Sequence, residues 1–80
     1  MRARVFITPK KGVLDPQGKA IEHSLHTLGY QEAHDVRLGK YIELSLDGMD
    51  REHARQRLDE MCRKLLANLV IEDYRFELEE

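Results

Sequence analysis

The 80-residue chain has one cysteine, two prolines, no tryptophan and only 6% aromatic residues. A single thiol, Cys62, excludes an intrachain disulfide framework and a cysteine-rich metal cluster. No apolar run approaches the roughly 20 residues that cross a bilayer. The first short one, Val5 to Ile7, gives way at once to polar residues, so neither a membrane span nor a secretory leader is expected. Positive charge is not in excess either, since 13 Lys and Arg stand against 15 Asp and Glu for a formal charge of -2. A nucleic-acid protein needs a net basic surface to displace phosphate counterions, which sets that class aside. The expectation that remains is one α+β domain over residues 1–80, in the cytoplasm. A chain this short buries only about 60% of the surface its unfolded form exposes, so a partner chain is expected to complete the burial.

Two periodicities organise the apolar residues. Residues 2–8 place Ala3, Val5 and Ile7 on one side and Arg4, Phe6 and Thr8 on the other, the two-residue period of a strand that Pro9 ends. In the run Lys11 to Gly18, Asp15 is an N-cap and Pro16 follows at a position whose N–H a helix does not need. Ile21, Leu25 and Leu28 then form the stripe of a helix over 16–28, closed by Gly29. Val36, Leu38, Ile42, Leu44 and Leu46 share one parity across Gly39-Lys40, which predicts one long strand over 35–46, kinked at Gly39. Such a strand would run about 40 Å and overhang its neighbours, inviting pairing with another chain. A hairpin with a longer loop, giving a four-stranded ferredoxin-like β-α-β-β-α-β order, is the alternative. Asp50 caps a second helix over about 51–66, built on Ala54, Leu58, Met61, Cys62, Leu65 and Leu66, with Asn68 at its end. Residues 70–78 return to period two, with Val70, Tyr74, Phe76 and Leu78 in phase.

The predicted fold is a two-layer α+β domain of order β-α-β-α-β, an antiparallel sheet with two helices on one face. Phe6, Tyr41 and Ile71 would fall on the opposite face, either as an apolar patch for dimerisation by sheet or strand sharing, or as scattered exposed residues.

No catalytic constellation emerges. Gly12 to Lys19 imitates a phosphate loop, but five residues rather than four separate Gly12 from Gly18, and Ala20 stands where a hydroxyl should ligate magnesium. His23 and His26 share a helix face without a third metal ligand beside them. Cys62 belongs to the apolar seam of the second helix and lacks the base and electropositive setting of a nucleophile. Glu72 and Asp73 are adjacent carboxylates that could serve acid–base chemistry, although Glu72 could equally reach a lysine. Lys10, Lys11, Arg37 and Lys40 gather at strand ends, as a basic rim for an acidic partner or a solvated edge that discourages aggregation. With no nucleophile, base and oxyanion donors in one group, the residues point to a binding or assembly module.

Four segments in order carry a resemblance: GVLDPQG at Gly12–Gly18, the helix end Leu28-Gly29, VRLGKYIEL at Val36–Leu44 and MCRKLLANLVIEDY at Met61–Tyr74. Together they resemble the PurS family, the small subunits of phosphoribosylformylglycinamidine synthase, over essentially the whole chain. One departure is Leu69, where that family commonly has proline, which loosens the turn before the last strand. The resemblance implies a non-catalytic subunit of a purine-biosynthesis ligase that converts formylglycinamide ribonucleotide, glutamine and ATP to formylglycinamidine ribonucleotide. It implies a homodimer or dimer of dimers, with a large synthetase subunit and a glutaminase subunit as partners. ATP and magnesium would sit on the synthetase and no cofactor on this chain. Because free ammonia is mostly protonated in neutral water, its transfer between the two sites needs a closed junction, which a bridging subunit helps to form. The family role would fall, as interface or structural positions, on Lys11, Gly12, Asp15, Pro16, Gln17, Gly18, Arg37, Gly39, Lys40, Asn68, Glu72 and Asp73. The contrasting expectations are a stand-alone ligand-sensing regulatory domain of ferredoxin-like fold and a small enzyme using Glu72, Asp73 and a histidine.

Overall fold

A computed structural model describes all residues from Met1 to Glu80. The elements are β1 (Arg2–Pro9), α1 (Pro16–Thr27), β2 (Lys40–Ser45), α2 (Arg51–Met61) with a wider final turn over Cys62–Leu66, and β3 (Glu72–Glu79). They form one antiparallel sheet of three strands in the order β2-β1-β3, an order consistent with the ferredoxin-like alternative. In register, Ile7 faces Lys40 on one side and Tyr74 on the other, and Arg2 faces Ser45 and Glu79.

The core follows from the strand period. Ala3, Val5 and Ile7 of the central strand are fully buried beneath Ala54, Leu58 and Cys62 of the second helical segment, with Leu46 and Ala67 closing the ends. Ile42 and Leu44 from β2 and Tyr74, Phe76 and Leu78 from β3 border this cluster. The Tyr74 hydroxyl donates to Asp59 Oδ1 at 2.6 Å and Arg63 Nε donates to Oδ2 at 2.9 Å, tying α2 to the sheet edge. The last turn of the helix widens so that Ala67 N bonds the Cys62 carbonyl at 2.9 Å. This five-residue step turns both Cys62 and Ala67 inward and leaves Leu65 on the outside.

Register explains why the two helices are used differently. Antiparallel pairing makes β2 begin beside the end of β1, so residues 10–39 must leave the sheet at one end and return to the same end. By contrast β3 begins at that same end while β2 finishes at the other, so the connection through α2 has to cross the sheet and covers its face. α2 alone supplies helical residues to the core; α1 supplies none and buries only Gly18. The pair of helices expected over one face is therefore one covering helix and one arm. The Cα radius of gyration, 16.0 Å, and the extents of 50 × 26 × 14 Å record the elongation; a compact chain of this length would give about 12 Å.

The middle strand is also shorter than its parity suggested. β2 starts at Lys40, because Asp35 takes a left-handed φ of 53° and the amides of Val36 and Leu38 are held by side chains of Glu22 and Asp15. Gly39 completes the entry, since a Cβ there would strike the Ile7 carbonyl oxygen of β1. No hairpin forms at Gly39-Lys40, and residues 35–46 contain a single strand.

Candidate interaction surfaces

Three surfaces gather the residues singled out above. The first is the root of the arm. Asp15 Oδ1 accepts from Gly18 N and Oδ2 from Leu38 N, each at 3.0 Å, so one carboxylate caps α1 and pins the returning segment to it. Glu22 Oε1 accepts from Val36 N at 3.2 Å one helical turn further on. Gly18 has to be glycine because a Cβ would run into the Asp15 carboxylate and the Val36 carbonyl. Pro16 and Gln17 are exposed in the first helical turn, and Gly12 turns the preceding loop with a φ of +85°. The amides of Leu38, first, and of Gly18 hold the Asp15 carboxyl below its ordinary pKa.

Because that depressed pKa belongs to the folded arm, the contribution of Asp15 is present above the ordinary carboxylate range, about pH 4, and is lost as pH falls through the folded value. Acidification is therefore expected to speed hydrogen exchange at Gly18 and Leu38 before it reaches the sheet amides. Asp15→Asn should remove that selective acid step, and an acid response unchanged in the variant would disprove the role assigned to the carboxylate.

The second surface is the side of the arm turned away from the protein. Ile21, Leu28 and Tyr30 of the arm are exposed by 39, 72 and 53%, and Leu14 and Leu38, at its root, by 80 and 42%. The stripe that sequence periodicity assigned to a core is thus largely uncovered in the single chain. A second exposed apolar group, Leu65, Leu69, Val70 and Ile71, follows the end of the helical segment. Asn68 closes this turn: its side-chain oxygen accepts from Val70 N at 3.1 Å and its carbonyl from Glu72 N at 2.7 Å. Hydrogen bonds thus close the turn on both sides of Leu69.

The third surface is the sheet face opposite α2. Phe6 and Tyr41 are partners in register, with ring centroids 5.2 Å apart, and Arg75 lies over the Phe6 ring at 4.0 Å. Ile71 is not part of this group. It precedes β3 at the sheet end, where its carbonyl accepts from Lys10 N at 2.8 Å. Ion pairs Arg2–Glu43, Arg4–Glu79 and Arg75–Glu77 occupy much of the remaining face, so it is a polar surface around two aromatic rings, not a continuous apolar patch.

Glu72 and Asp73, adjacent in sequence, point to opposite sides of β3 as the strand period requires. Glu72 pairs with Lys40 at 3.3 Å and accepts from Asn68 N at 2.7 Å, while Asp73 pairs with Lys10 at 2.7 Å. They are two separate anchors and make no carboxylate pair. His26 Nε2 meets the Ala33 carbonyl at 2.7 Å, which places it in the scaffold of the arm. Burial pushes the Cys62 thiol up, against the thiolate a nucleophile needs. Sequence reasoning missed Glu22, whose i+7 relation to Asp15 gave the available hint, and the Asp59–Tyr74 clasp, which joins residues 15 apart.

No helix is long and apolar enough to cross a membrane. Residues 2–80 match the PurS family model, described as phosphoribosylformylglycinamidine (FGAM) synthase. The PurS subunit from Bacillus subtilis is 52% identical over 83 residues, covering 99% of this chain and 93% of the relative. That from Methanocaldococcus jannaschii is 41% identical over 78 residues, covering 98% and 94%. Among solved structures, B. subtilis PurS superposes with a TM-score of 0.87 at 52% identity over 99% of this chain and 98% of its own. The PurLQS structure from Thermotoga maritima matches with a TM-score of 0.87 at 29% identity, covering 95% and 93%. A full-length family match, together with relatives of the same length and the same three-stranded fold, means that the chain belongs to the PurS family of phosphoribosylformylglycinamidine synthase subunits.

Proposed function

We propose that this chain is the small assembly subunit of phosphoribosylformylglycinamidine synthase, an ATP-dependent carbon–nitrogen ligase of purine biosynthesis. It contributes contacts, with the chemistry carried by a synthetase subunit that holds ATP and magnesium and by a glutaminase subunit. The observation that carries the reading is the arm: a helix held firmly at its root, with its apolar side uncovered and no residue in the protomer's core. Apolar area of that extent marks a surface completed by another chain. The existence of a PurLQS structure containing a chain of this fold supports partners of the synthetase and glutaminase type.

A homodimer fits the same features. In it the Ile21–Leu28 side of one arm is covered by a second copy, leaving the Asp15–Gly18 root, Gly39 and the Asn68 turn as structural positions and Lys40–Glu72 and Lys10–Asp73 as anchors near the same sheet end. Ammonia transfer would then run through a junction that this dimer helps to close.

The test is reconstitution. With synthetase and glutaminase subunits present, adding the chain should restore glutamine-dependent formation of the amidine and leave the rate with externally supplied ammonia little changed. Equal glutamine-dependent rates with and without the chain would reject the assembly role.

A further inference from the structure

The chain has 13 lysines and arginines. Nine of them have a carboxylate within 4.0 Å: Arg2, Arg4, Lys10, Lys40, Arg55, Arg57, Arg63, Lys64 and Arg75. Of the four that remain, Arg51 donates to the Leu78 carbonyl, and the other three, Lys11, Lys19 and Arg37, line a single groove. That concentration is not a consequence of local sequence, because the three come from the β1–α1 loop, the helix and the returning segment.

The groove, about 520 Å³, lies between those three stretches of chain. It falls within the roughly 300–1,000 Å³ typical of small-molecule sites. Val13, Leu14 and Val36 give it an apolar wall. None of its acidic members, Asp15, Glu22 and Asp35, forms an ion pair with these three cations within 4.0 Å. Asp15 accepts from Gly18 N and Leu38 N and Glu22 from Val36 N, while the Arg37 charge, a smaller influence than those amides, helps to hold the Asp15 carboxyl low. At 100° per residue Lys19 lies about 160–180° around α1 from Ile21 and Leu28, so the groove stays open when the apolar side of the arm is covered.

We infer that this groove binds a small phosphate ester, its dianion held among Lys11, Lys19 and Arg37 and its organic body resting on Val13, Leu14 and Val36. A phosphate suits the site better than a single carboxylate because three cations from separate stretches of chain line it, and an arginine fork with two ammonium groups can satisfy several oxygens at once. Gly12, which also lines the groove, turns the loop with a φ of +85° that favours glycine. The magnesium-dependent geometry of a phosphate loop is not required, and the inference does not rest on the assembly role.

Titration of the isotope-labelled full-length chain, followed by amide NMR, tests it with ribose 5-phosphate, inorganic phosphate, glutarate and a glutamate-rich peptide as separate probes. Ribose 5-phosphate should give saturable shifts centred on Gly12, Lys19 and Arg37, and added salt should weaken them. Loss of one charged hydrogen bond corresponds to about tenfold or more in affinity, so Lys19→Gln and Arg37→Gln should each weaken binding to that degree. Arg51→Gln, which removes the unpaired cation outside the groove, should leave it unchanged. Absence of saturable shifts, equal response to glutarate, tighter binding of the acidic peptide, or equal weakening by Arg51→Gln would each overturn the proposal. All three substituted residues are exposed, and unchanged spectra of the sheet amides confirm that the variants are folded.

Discussion

Leu58→Ala is expected to destabilise the protein by about 2–5 kcal/mol, the range for truncating a fully buried leucine in a core that does not collapse around the gap. Leu58 is 0% exposed and sits over Val5 and Ile7 in a core of only eight buried apolar residues. A domain of this size has roughly 5 kcal/mol or little more in total, so the variant should melt lower by about 10 °C or more, or fail to fold. Leu65→Ala is the matched control: the same residue type, two turns on in the same helical segment, but 83% exposed. It should change the stability of the protomer by no more than about 0.5 kcal/mol. Equal melting shifts in the two variants would mean that the helical segment is not seated on the sheet as described.

The arm should show the opposite pattern, with little effect on folding and a large one on assembly. Ile21 and Leu28 lie outside the core and are exposed by 39 and 72%, and glutamate is a good helix former, so Ile21→Glu with Leu28→Glu should leave the sheet and both helices intact. Each apolar side chain buried at an interface is worth about 1.5–3 kcal/mol. Losing two is therefore expected to weaken self-association more than about a hundredfold. Light scattering should report the mass falling to that of a monomer at concentrations where the unaltered chain forms the proposed dimer. Glutamine-dependent activity of the reconstituted synthase should fall with it. An unchanged mass would show that the exposed stripe is not the dimer surface, whatever the outcome for activity.

These two expectations separate the chain into a folding unit and a docking unit, and the division was only partly visible in the residues. The strand period in Ala3, Val5 and Ile7, the caps Asp15 and Asp50, and the stripe Ala54–Leu58–Cys62 all depend on near neighbours. The structure has them where the pattern predicts. The stripe Ile21–Leu25–Leu28 was equally clear as a helix, yet it does not face the sheet. Periodicity identifies which side of a helix is apolar, but it does not say which chain covers that side. In the same way Val36 and Leu38 keep strand parity with Ile42 and Leu44, but Glu22 and Asp15 capture their amides. Acceptors 14 and 23 residues away leave no trace in parity.

The candidate surfaces divide along the same line. Lys10, Lys11, Arg37 and Lys40 look alike as a basic cluster in the sequence, whereas the fold quenches Lys10 and Lys40 against Asp73 and Glu72 and brings Lys19 beside Lys11 and Arg37. Phe6 and Tyr41 meet because strand register pairs them, and Ile71 does not join them because it precedes β3 at the sheet end, with Arg75 and not Ile71 opposite Phe6.

By itself the sequence determined the α+β class, the order of the elements, their caps and the family, since each follows from short-range patterns or from ordered motifs along one chain. Tertiary structure alone decided that α2 covers the sheet while α1 projects from it, and which cations remain free. Both depend on where β2 begins relative to β1. Antiparallel register there sends residues 10–39 out and back at one end, and that return path exposes the apolar side of the arm and encloses the basic groove.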